Sequence, residues 1–350
     1  MSKRVFILYT GGTIGMGHSD PNDPRSPLVP RSWENLQEFM PAIQEDGFFR
    51  KEKGISIDYH SLDEIKDSSQ FTTDDWICMA GEIEQRYDDY DGFIIIHGTD
   101  TMAYTASGLS FLFENLNKPV VLTGSQLPIN DPRTDATNNL SNALHIAAAD
   151  AFGLPVLNEV VICFNDRVLR GNRATKMSTN DFEGFESPNY NHLGDLEERI
   201  KIHTHRMLPN SEGAFKVHKQ MNPNVMSIGL FPGLKPKQLR KLVEDEQIDG
   251  LVLKAFGNGN APTNAEFVDL LKEARSSGTH ILFITQCFHG WVHLSKYQSG
   301  KVFEELGVIE GGDMTDEAAL AKMMYVLSKS TDSQEVRSQL LENLRGERNY

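Results

Sequence analysis

The amino-acid sequence predicts an α/β fold with two domains, a larger N-terminal domain built on a mostly parallel sheet and a smaller C-terminal α/β domain. Short apolar runs, which are typical of buried parallel strands, alternate with amphipathic stretches of helical spacing. One polar segment interrupts this alternation, which then resumes. The chain has 350 residues, of which 39% are hydrophobic, and a chain of this size can fill two cores.

The predicted strands are short apolar runs bounded by turn residues, namely Val5–Tyr9, Phe93–Ile96, Val120–Leu122, Val160–Phe164, Ser227–Leu230, Leu251–Leu253 and Ile281–Ile284. The predicted helices lie between them, at Met102–Asn115, Asn139–Ala149, Asn264–Ser276 and Asp316–Ser328. A strand followed by a helix, repeated along the chain, favours parallel strands joined by helical connections.

The polar segment gives the expected domain boundary. We interpret residues 191–212 as a connection, with an N-terminal domain at 1–190 and a C-terminal domain at 213–350. His203 and His205 lie in this connection. We expect both to be solvated rather than bound to a metal, because no third ligand follows at a useful spacing.

Charge and composition exclude several classes of protein. Asp and Glu number 49 against 34 Lys and Arg, and the resulting net charge of -15 disfavours a nucleic-acid partner, which needs clustered basic residues. No apolar run approaches the ~20 residues of a membrane span, and Val5–Tyr9 is too short for a signal peptide. Cys78, Cys163 and Cys287 match neither a disulfide framework nor zinc-ligand spacing. We therefore expect a cytoplasmic protein with reduced thiols and no membrane partner.

A glycine-rich turn, Thr10-Gly-Gly-Thr-Ile-Gly15, follows directly on the first predicted strand. Open α/β sheets bind ligands at such carboxyl strand ends. Paired glycines let the backbone approach a ligand closely, and amide groups there can stabilise an oxyanion, so Thr13 is a candidate nucleophile. A dinucleotide or phosphate loop, or a simple tight turn, is a commoner explanation of such a turn. However, the G-x-G-x-x-G register and the P-loop lysine are both missing from it.

A second polar motif, His97-Gly-Thr-Asp-Thr-Met102, follows the predicted strand Phe93–Ile96. Two such motifs at strand ends can converge on one crevice. Thr99 or Asp100 could also cap the following helix, which does not exclude a chemical role. The histidine of this motif is expected to be buried and hydrogen-bonded rather than to act as an acid or base.

The two motifs together resemble the signatures of bacterial-type L-asparaginases, specifically the cytoplasmic type I branch. The likeness continues in order through Asp67-Ser-Ser69, Lys118-Pro-Val-Val-Leu-Thr-Gly-Ser125, Arg170-Gly-Asn-Arg-Ala-Thr-Lys176, Gly257-Asn-Gly-Asn-Ala-Pro262, Thr285-Gln-Cys287 and Asn343-Leu-Arg-Gly-Glu347. The resemblance implies hydrolysis of L-asparagine to L-aspartate and ammonia, without a cofactor or metal, by a homodimer or homotetramer.

The resemblance also implies the catalytic residues. Thr13 would attack the side-chain amide carbon, release ammonia and leave an acyl-enzyme ester that water hydrolyses. A threonine hydroxyl is barely ionised at neutral pH and needs a base or a strong hydrogen-bond acceptor. The family pattern offers Thr99, Asp100 and Lys176 for this purpose. A lysine in a polar loop is usually a solvated surface residue, so the catalytic role of Lys176 depends on the motif around it.

Substrate binding needs partners for an α-carboxylate and an α-ammonium group. By resemblance, the Ser68 hydroxyl and amides around Asp67 and Ser69 hold the carboxylate, and Asp100 pairs with the ammonium. An ordinary turn is the alternative explanation of this tripeptide. Asn260 resembles a residue that reaches the site from the C-terminal domain of a neighbouring subunit, which implies an oligomer.

One departure from the family pattern concerns the proline-rich loop Met16–Pro30, which we expect to close over bound substrate. Many relatives carry a tyrosine there that hydrogen-bonds the nucleophile, but this loop has none, and Leu28 aligns with that position. His18 or Ser26 could replace the tyrosine, a tyrosine could come from elsewhere in the chain, or the catalytic threonine–lysine pair could suffice.

Two other functions stay open. The first is the amidohydrolase subunit of an archaeal-type tRNA-dependent amidotransferase, which carries an extra N-terminal β-domain, whereas the nucleophile turn here begins by Thr10. The second is a non-catalytic protein that senses an amino acid. The intact set of Thr13, Thr99, Asp100 and Lys176 argues against lost catalysis, and the missing tyrosine keeps the sensor open.

Overall fold

The computed structural model describes residues 2–20, 23, 25–31, 33–245, 248–296 and 298–349. The chain divides into two compact units, Met1–Lys219 and Gln220–Tyr350. Each unit has its own sheet and its own apolar core. The predicted α/β class is therefore confirmed, with the larger unit first.

The strands of the first unit are β1 (Arg4–Tyr9), β2 (Met16–His18), β3 (Leu28–Pro30), β4 (Ser56–Ser61), β5 (Gly92–Ile96), β6 (Phe113–Glu114), β7 (Val120–Thr123), β8 (Val160–Phe164), β9 (Arg167–Arg170), β10 (Thr175–Lys176), β11 (Phe185–Glu186), β12 (Gly194–Leu196), β13 (Ile200–Ile202) and β14 (Lys216–Val217). Its helices are α1 (Trp33–Glu38), α2 (Thr73–Arg86), α3 (Met102–Leu112) and α4 (Ala136–Ala147).

The main sheet of this unit has the strand order β13-β12-β9-β8-β7-β5-β1-β4. Strands β4, β1, β5, β7 and β8 are parallel, and β9, β12 and β13 extend the sheet antiparallel. The chain builds β4 on one side of β1 and then β5 on the other. Such a change of direction opens a crevice at the carboxyl ends of the two neighbouring strands, here β1 and β5.

The central strands are buried on both faces, which explains why they are continuous apolar runs. One face packs against α4. Core residues from these strands and this helix include Ile7, Ile94, Val121, Val161, Leu140 and Leu144. This packing fixes the strand ends that carry the two polar motifs.

Strands β12 and β13 come from the polar segment that we interpreted as a connection. They form an antiparallel hairpin, and β12 pairs with β9 at the edge of the main sheet. The expectation that His203 is solvated is wrong, because its side chain is only 12% exposed and its Nε2 lies 2.9 Å from Oδ2 of Asp195. His205 is exposed, as expected.

The second unit contains the strands β15 (Val225–Gly229), β16 (Gly250–Ala255), β17 (His280–Thr285) and β18 (Ile309–Glu310). Its helices are α5 (Pro236–Asp245), α6 (Ala265–Ser276), α7 (Gln298–Glu305), α8 (Asp316–Lys329) and α9 (Ser333–Leu341). The four strands are parallel and adjacent in chain order. Among the described residues, no helix is long and apolar enough to cross a bilayer.

The C-terminal part of the second unit encloses an ion pair. Lys322 on α8 and Glu347 beyond α9 have no exposed side-chain surface, and Nζ lies 2.6 Å from Oε1. The lysine also donates to the Leu340 carbonyl at 3.0 Å, and the carboxylate accepts from the N–H groups of Leu344 and Arg345. Burial alone would raise the pKa of Glu347, but the ammonium and these N–H groups outweigh burial and lower it.

The turn after β5 begins with a fully buried histidine. The Nδ1 atom of His97 lies 2.7 Å from the Gly98 carbonyl oxygen, and Nε2 lies 2.9 Å from the Thr105 hydroxyl. A carbonyl can only accept, so Nδ1 carries the proton of the neutral ring and Nε2 accepts from Thr105. Burial lowers the pKa of His97 to about 4. His97 is therefore buried and hydrogen-bonded, as the sequence analysis expects.

Replacing Lys322 by Met should lower the free energy of unfolding by about 3–5 kcal/mol, because the Glu347 carboxylate would stay buried without its counter-charge. Urea denaturation measures this change. The matched control is Lys272→Met, because Lys272 pairs with Asp269 at 3.5 Å while both side chains are more than half exposed. The control should lose less than about 1 kcal/mol. Equal losses in the two variants would contradict the importance of the buried pair.

The titration of His97 should lower the free energy of unfolding as the pH falls. Its pKa is lower in the folded protein than in the unfolded chain, so the unfolded chain takes up the proton first as the pH falls from about 6.5 to about 4. The stabilisation by the neutral ring is complete above pH 6.5 and is lost across this window, by roughly 3 kcal/mol.

The measurement is urea denaturation of the wild type and of His97→Gln at pH 7, 6, 5 and 4. Carboxylates that titrate in this range affect both proteins, so the difference between them isolates the histidine. The stability advantage of the wild type should shrink steadily towards pH 4. An advantage that is constant with pH would show that this ring does not titrate differently in the two states.

Candidate active site

The turns after β1 and β5 touch at the crevice. Gly12, with φ of 93°, lies so close to the second turn that a Cβ on it would stand 2.5 Å from the Gly98 amide nitrogen. Thr10 supports this contact, because its N–H and its hydroxyl both donate to the Ile96 carbonyl, at 3.0 and 2.8 Å. Thr13 and Thr99 are the next residues beyond the contact on each turn. The fold therefore brings these two predicted site residues into one neighbourhood.

The loop after β4 lies against both turns. A Cβ on Gly11 would stand 2.7 Å from the Lys66 carbonyl oxygen, and one on Gly98 would stand 2.5 Å from the Ser68 hydroxyl oxygen. Ser68 is only 2% exposed, and Thr101 donates a hydrogen bond to its carbonyl at 2.7 Å. Three segments that are distant in sequence thus form one wall of the crevice.

Lys176 reaches this neighbourhood from the short hairpin of β10 and β11. Its Nζ lies 2.8 Å from the Thr99 hydroxyl oxygen and 2.6 Å from Oδ1 of Asp100. Thr99 is 7% exposed, the Lys176 side chain 17%, and the Asp100 carboxylate 64%. Because Nζ of Lys176 donates a hydrogen bond to the Thr99 oxygen, the proton of the Thr99 hydroxyl can point to another group. The arrangement can therefore hold Thr99 so that its hydroxyl passes a proton to a neighbouring group.

Asp67 and Ser69 form a tight turn around Ser68. The Asp67 carboxylate accepts the Ser69 N–H at 2.8 Å. Hydrogen bonds from Ser69 and the charge of Lys176 lower the pKa of Asp67, although burial opposes them. Asp67 is therefore a carboxylate at neutral pH, and Ser69 is exposed. The tripeptide Asp67-Ser-Ser69 is therefore an ordinary turn, as the alternative explanation proposed. This turn lies close to Thr13 and Thr99 in the fold.

The Thr13 hydroxyl lies at the start of a short helical turn, Thr13–Gly15, and is partly buried. Among the described residues it has no hydrogen-bond partner. The loop that follows is a hairpin in which β2 pairs with β3. Pro21, Asn22 and Pro24, between these strands in sequence, lie outside the described residues.

His18 and Ser26, two of the possible replacements for the lid tyrosine, bond within this hairpin. His18 Nδ1 lies 2.9 Å from the Ser26 carbonyl, and the Ser26 hydroxyl lies 2.8 Å from the Asp23 carbonyl. Leu28 is 39% exposed. Tyr9, the nearest tyrosine in sequence, donates to the Arg31 carbonyl at 3.0 Å.

Asn260 belongs to the second unit, in the loop between β16 and α6. Its backbone exchanges two hydrogen bonds with Phe256, at 2.8 and 2.9 Å, around glycines with positive φ. Its side-chain oxygen lies 3.2 Å from the Ser299 hydroxyl. The predicted contribution of Asn260 to a neighbouring subunit stays a prediction.

Sequence reasoning does not single out Thr101 or the pair of Lys66 and Asp75. Thr101 is the second threonine of the motif that contains Thr99, and this repetition is the only signal in the sequence. Lys66 directly precedes the predicted Asp67-Ser-Ser turn, but its ion pair with Asp75 forms only once α2 packs beside the loop. Side chains that act through tertiary contacts carry little signal in one sequence.

Comparisons with known proteins agree with this geometry. The family model described as Asparaginase, N-terminal matches residues 4–208, and the Glutaminase/Asparaginase C-terminal domain model matches residues 224–340. L-asparaginase 1 of Escherichia coli strain K12 is 39% identical over 345 residues, which cover 99% of this chain and 98% of that protein.

Two solved structures are similar along their whole length. L-asparaginase I from Vibrio cholerae is 39% identical with a TM-score of 0.88, and the alignment covers 100% of both chains. The thermostable L-asparaginase from Thermococcus kodakarensis is 31% identical with a TM-score of 0.87, and 99% of each chain is covered. Both family models, the sequence identity and the shared fold lead to one conclusion: this chain belongs to the asparaginase/glutaminase family.

Proposed function

We propose that this protein is an L-asparaginase, an amidohydrolase that converts L-asparagine to L-aspartate and ammonia through a threonine nucleophile. The observation that carries the proposal is the position of Lys176, 2.8 Å from the Thr99 hydroxyl and 2.6 Å from Asp100, beside the contact of the two glycine-containing turns. The relatives of similar length that are named L-asparaginases support the same activity.

In the first half of the reaction, the Thr13 hydroxyl oxygen forms a bond to the amide carbon of the substrate. Its proton passes to the amide nitrogen, the carbon–nitrogen bond breaks, and ammonia leaves an ester on Thr13. Amide groups of the glycine turn can stabilise the oxyanion that develops. In the second half, a water molecule attacks the ester carbon and the bond from that carbon to the Thr13 oxygen breaks. The proton of the water passes through the Thr99 hydroxyl to the Thr13 oxygen, while the Lys176 ammonium holds Thr99 in place. The products are L-aspartate and the free Thr13 hydroxyl.

The loop around Ser68 would bind the α-carboxylate, through the Ser68 hydroxyl and the backbone amides of the turn. Asp67 and Asp100 would balance the α-ammonium group, and the lowered pKa of Asp67 supports this role because the carboxylate stays charged at neutral pH. Asn260 of a neighbouring subunit would complete the site.

Activation of Thr13 is assigned to the pair of Thr99 and Lys176. His18 Nδ1 bonds the Ser26 carbonyl and the Ser26 hydroxyl bonds the Asp23 carbonyl, so both side chains hold the hairpin together. The Tyr9 hydroxyl is committed to Arg31, and burial raises its pKa to about 12, which makes it a poor base.

We also propose a cytoplasmic homodimer or homotetramer. The support is the likeness to type I asparaginases and the expected role of Asn260, which requires a second copy of the chain. In such an assembly, each site would combine Thr13 of one subunit with Asn260 of another.

Thr13→Ala and Thr99→Val should each lower kcat for ammonia release from L-asparagine by at least about 1,000-fold, because each removes a hydroxyl that takes part in the chemistry. Binding of L-aspartate, measured by calorimetry, should persist in Thr13→Ala. Thr137→Ala, an exposed position on α4, is the matched control and should keep the wild-type rate. Equal rates in the wild type and both site variants would refute the mechanism, and binding without any ammonia release by the wild type would favour the sensor.

Shared sites can be tested by mixing two inactive variants. Thr13→Ala and Asn260→Ala should each be inactive as pure oligomers. After dissociation and reassembly of a mixture, some sites combine the intact Thr13 of one subunit with the intact Asn260 of another, so ammonia release should return. Light scattering verifies reassembly. No recovery in a reassembled mixture would place Asn260 and Thr13 of one site in the same chain.

A further inference from the structure

The segment Lys66–Ser69, here called the carboxylate loop, is held by three side chains outside the catalytic set. At its end, the Thr101 hydroxyl donates to the Ser68 carbonyl at 2.7 Å. This bond joins the loop to the turn that carries Thr99 two residues earlier. This bond restrains the Ser68 backbone, and the Ser68 hydroxyl lies where a Cβ on Gly98 would stand 2.5 Å from it.

At its start, the loop is held by an ion pair. Nζ of Lys66 lies 2.6 Å from Oδ1 of Asp75, and the side chains are 21% and 14% exposed. The other oxygen of Asp75 accepts the Thr72 N–H at 2.6 Å, so the carboxylate is itself fixed to the first turn of α2. Partly buried pairs of this kind keep more of their strength than exposed pairs.

The ion pair acts on the nucleophile turn as well. The carbonyl of Lys66 lies against Gly11, where a Cβ would approach within 2.7 Å. Between the loop and α2, Phe71 packs edge-on to the His97 ring with centroids 4.9 Å apart, and the Lys66 ammonium lies 5.6 Å from the Phe71 ring centre. The loop therefore lies against both catalytic turns, and these contacts set its position.

We infer that Thr101 and the Lys66–Asp75 pair are positioning residues, which set the affinity for the substrate α-carboxylate by holding Ser68 and the amides of the carboxylate loop in place. The inference rests on the proposed function. None of the three side chains needs to touch the reacting atoms. Loss of one contact lets the loop move away from the carboxylate while Thr13, Thr99 and Lys176 stay in position.

The decisive variants differ by one group. Thr101→Val removes the hydroxyl at nearly constant shape, and Thr101→Ser keeps it. KM for L-asparagine should rise about 3- to 10-fold in Thr101→Val, the range expected for one hydrogen bond, while kcat stays within about twofold. Thr101→Ser should restore the wild-type KM. Lys66→Met should raise KM in the same way, and Lys66→Arg should rescue most of the effect.

Two ligand fragments separate this role from general loosening of the site. Succinamate keeps the carboxylate and lacks the ammonium, and 3-aminopropanamide keeps the ammonium and lacks the carboxylate. As inhibitors, succinamate should weaken in Thr101→Val as much as L-asparagine, and 3-aminopropanamide should bind to the variant and the wild type alike. The unfolding temperature of each variant is recorded beside these constants.

An unchanged KM in both Thr101→Val and Lys66→Met would overturn the inference and leave the proposed function intact. Equal weakening of both fragments, or a loss of kcat that follows a lower unfolding temperature, would also overturn it, because the residues would then be merely structural. A wild-type protein that neither releases ammonia from L-asparagine nor binds L-aspartate would overturn the inference and the proposed function together.

Discussion

The site depends on the approach of two backbones, at Gly12 and Gly98, where the ends of β1 and β5 meet. No side chain fits between them, since a Cβ on Gly12 would stand 2.5 Å from the Gly98 nitrogen. The main sheet creates this meeting point because its strand order changes direction between these two strands. Thr13 and Thr99 are close together because each directly follows one of these two glycines. The order of the strands in the sheet, rather than a side-chain contact, therefore brings the Thr13 and Thr99 hydroxyls together.

Charge is added to this framework from outside the two turns. Lys176 arrives on a small hairpin and divides its hydrogen bonds between Thr99 and Asp100. Asp67 stays ionised because the Ser69 N–H group and the lysine favour its charged form. The site therefore carries two carboxylates and one ammonium group around two neutral hydroxyls. Such a set suits a small zwitterion better than an anionic or purely apolar ligand.

The sequence predicts the central strands and several helices because burial on both faces leaves a continuous apolar run, as in β1 and β8. It misses β4, in which only Ile57 is buried, and the hairpin of β12 and β13, which exposes Lys201. The two motifs predict which residues lie at the strand ends. They cannot predict Thr101 bonding to Ser68, since that contact depends on how a third segment packs.

The strands at the two margins of the main sheet also affect how copies of the chain can meet. One margin, β13, has only three residues and exposes Lys201, and the other, β4, carries Asp58 in an ion pair with Arg4. Short strands and charges at a margin discourage another chain from adding a strand there, which is a common route to aggregation. These margins therefore disfavour aggregation of the protein through its main sheet in a concentrated solution. At these two margins, association of copies through added strands is therefore disfavoured.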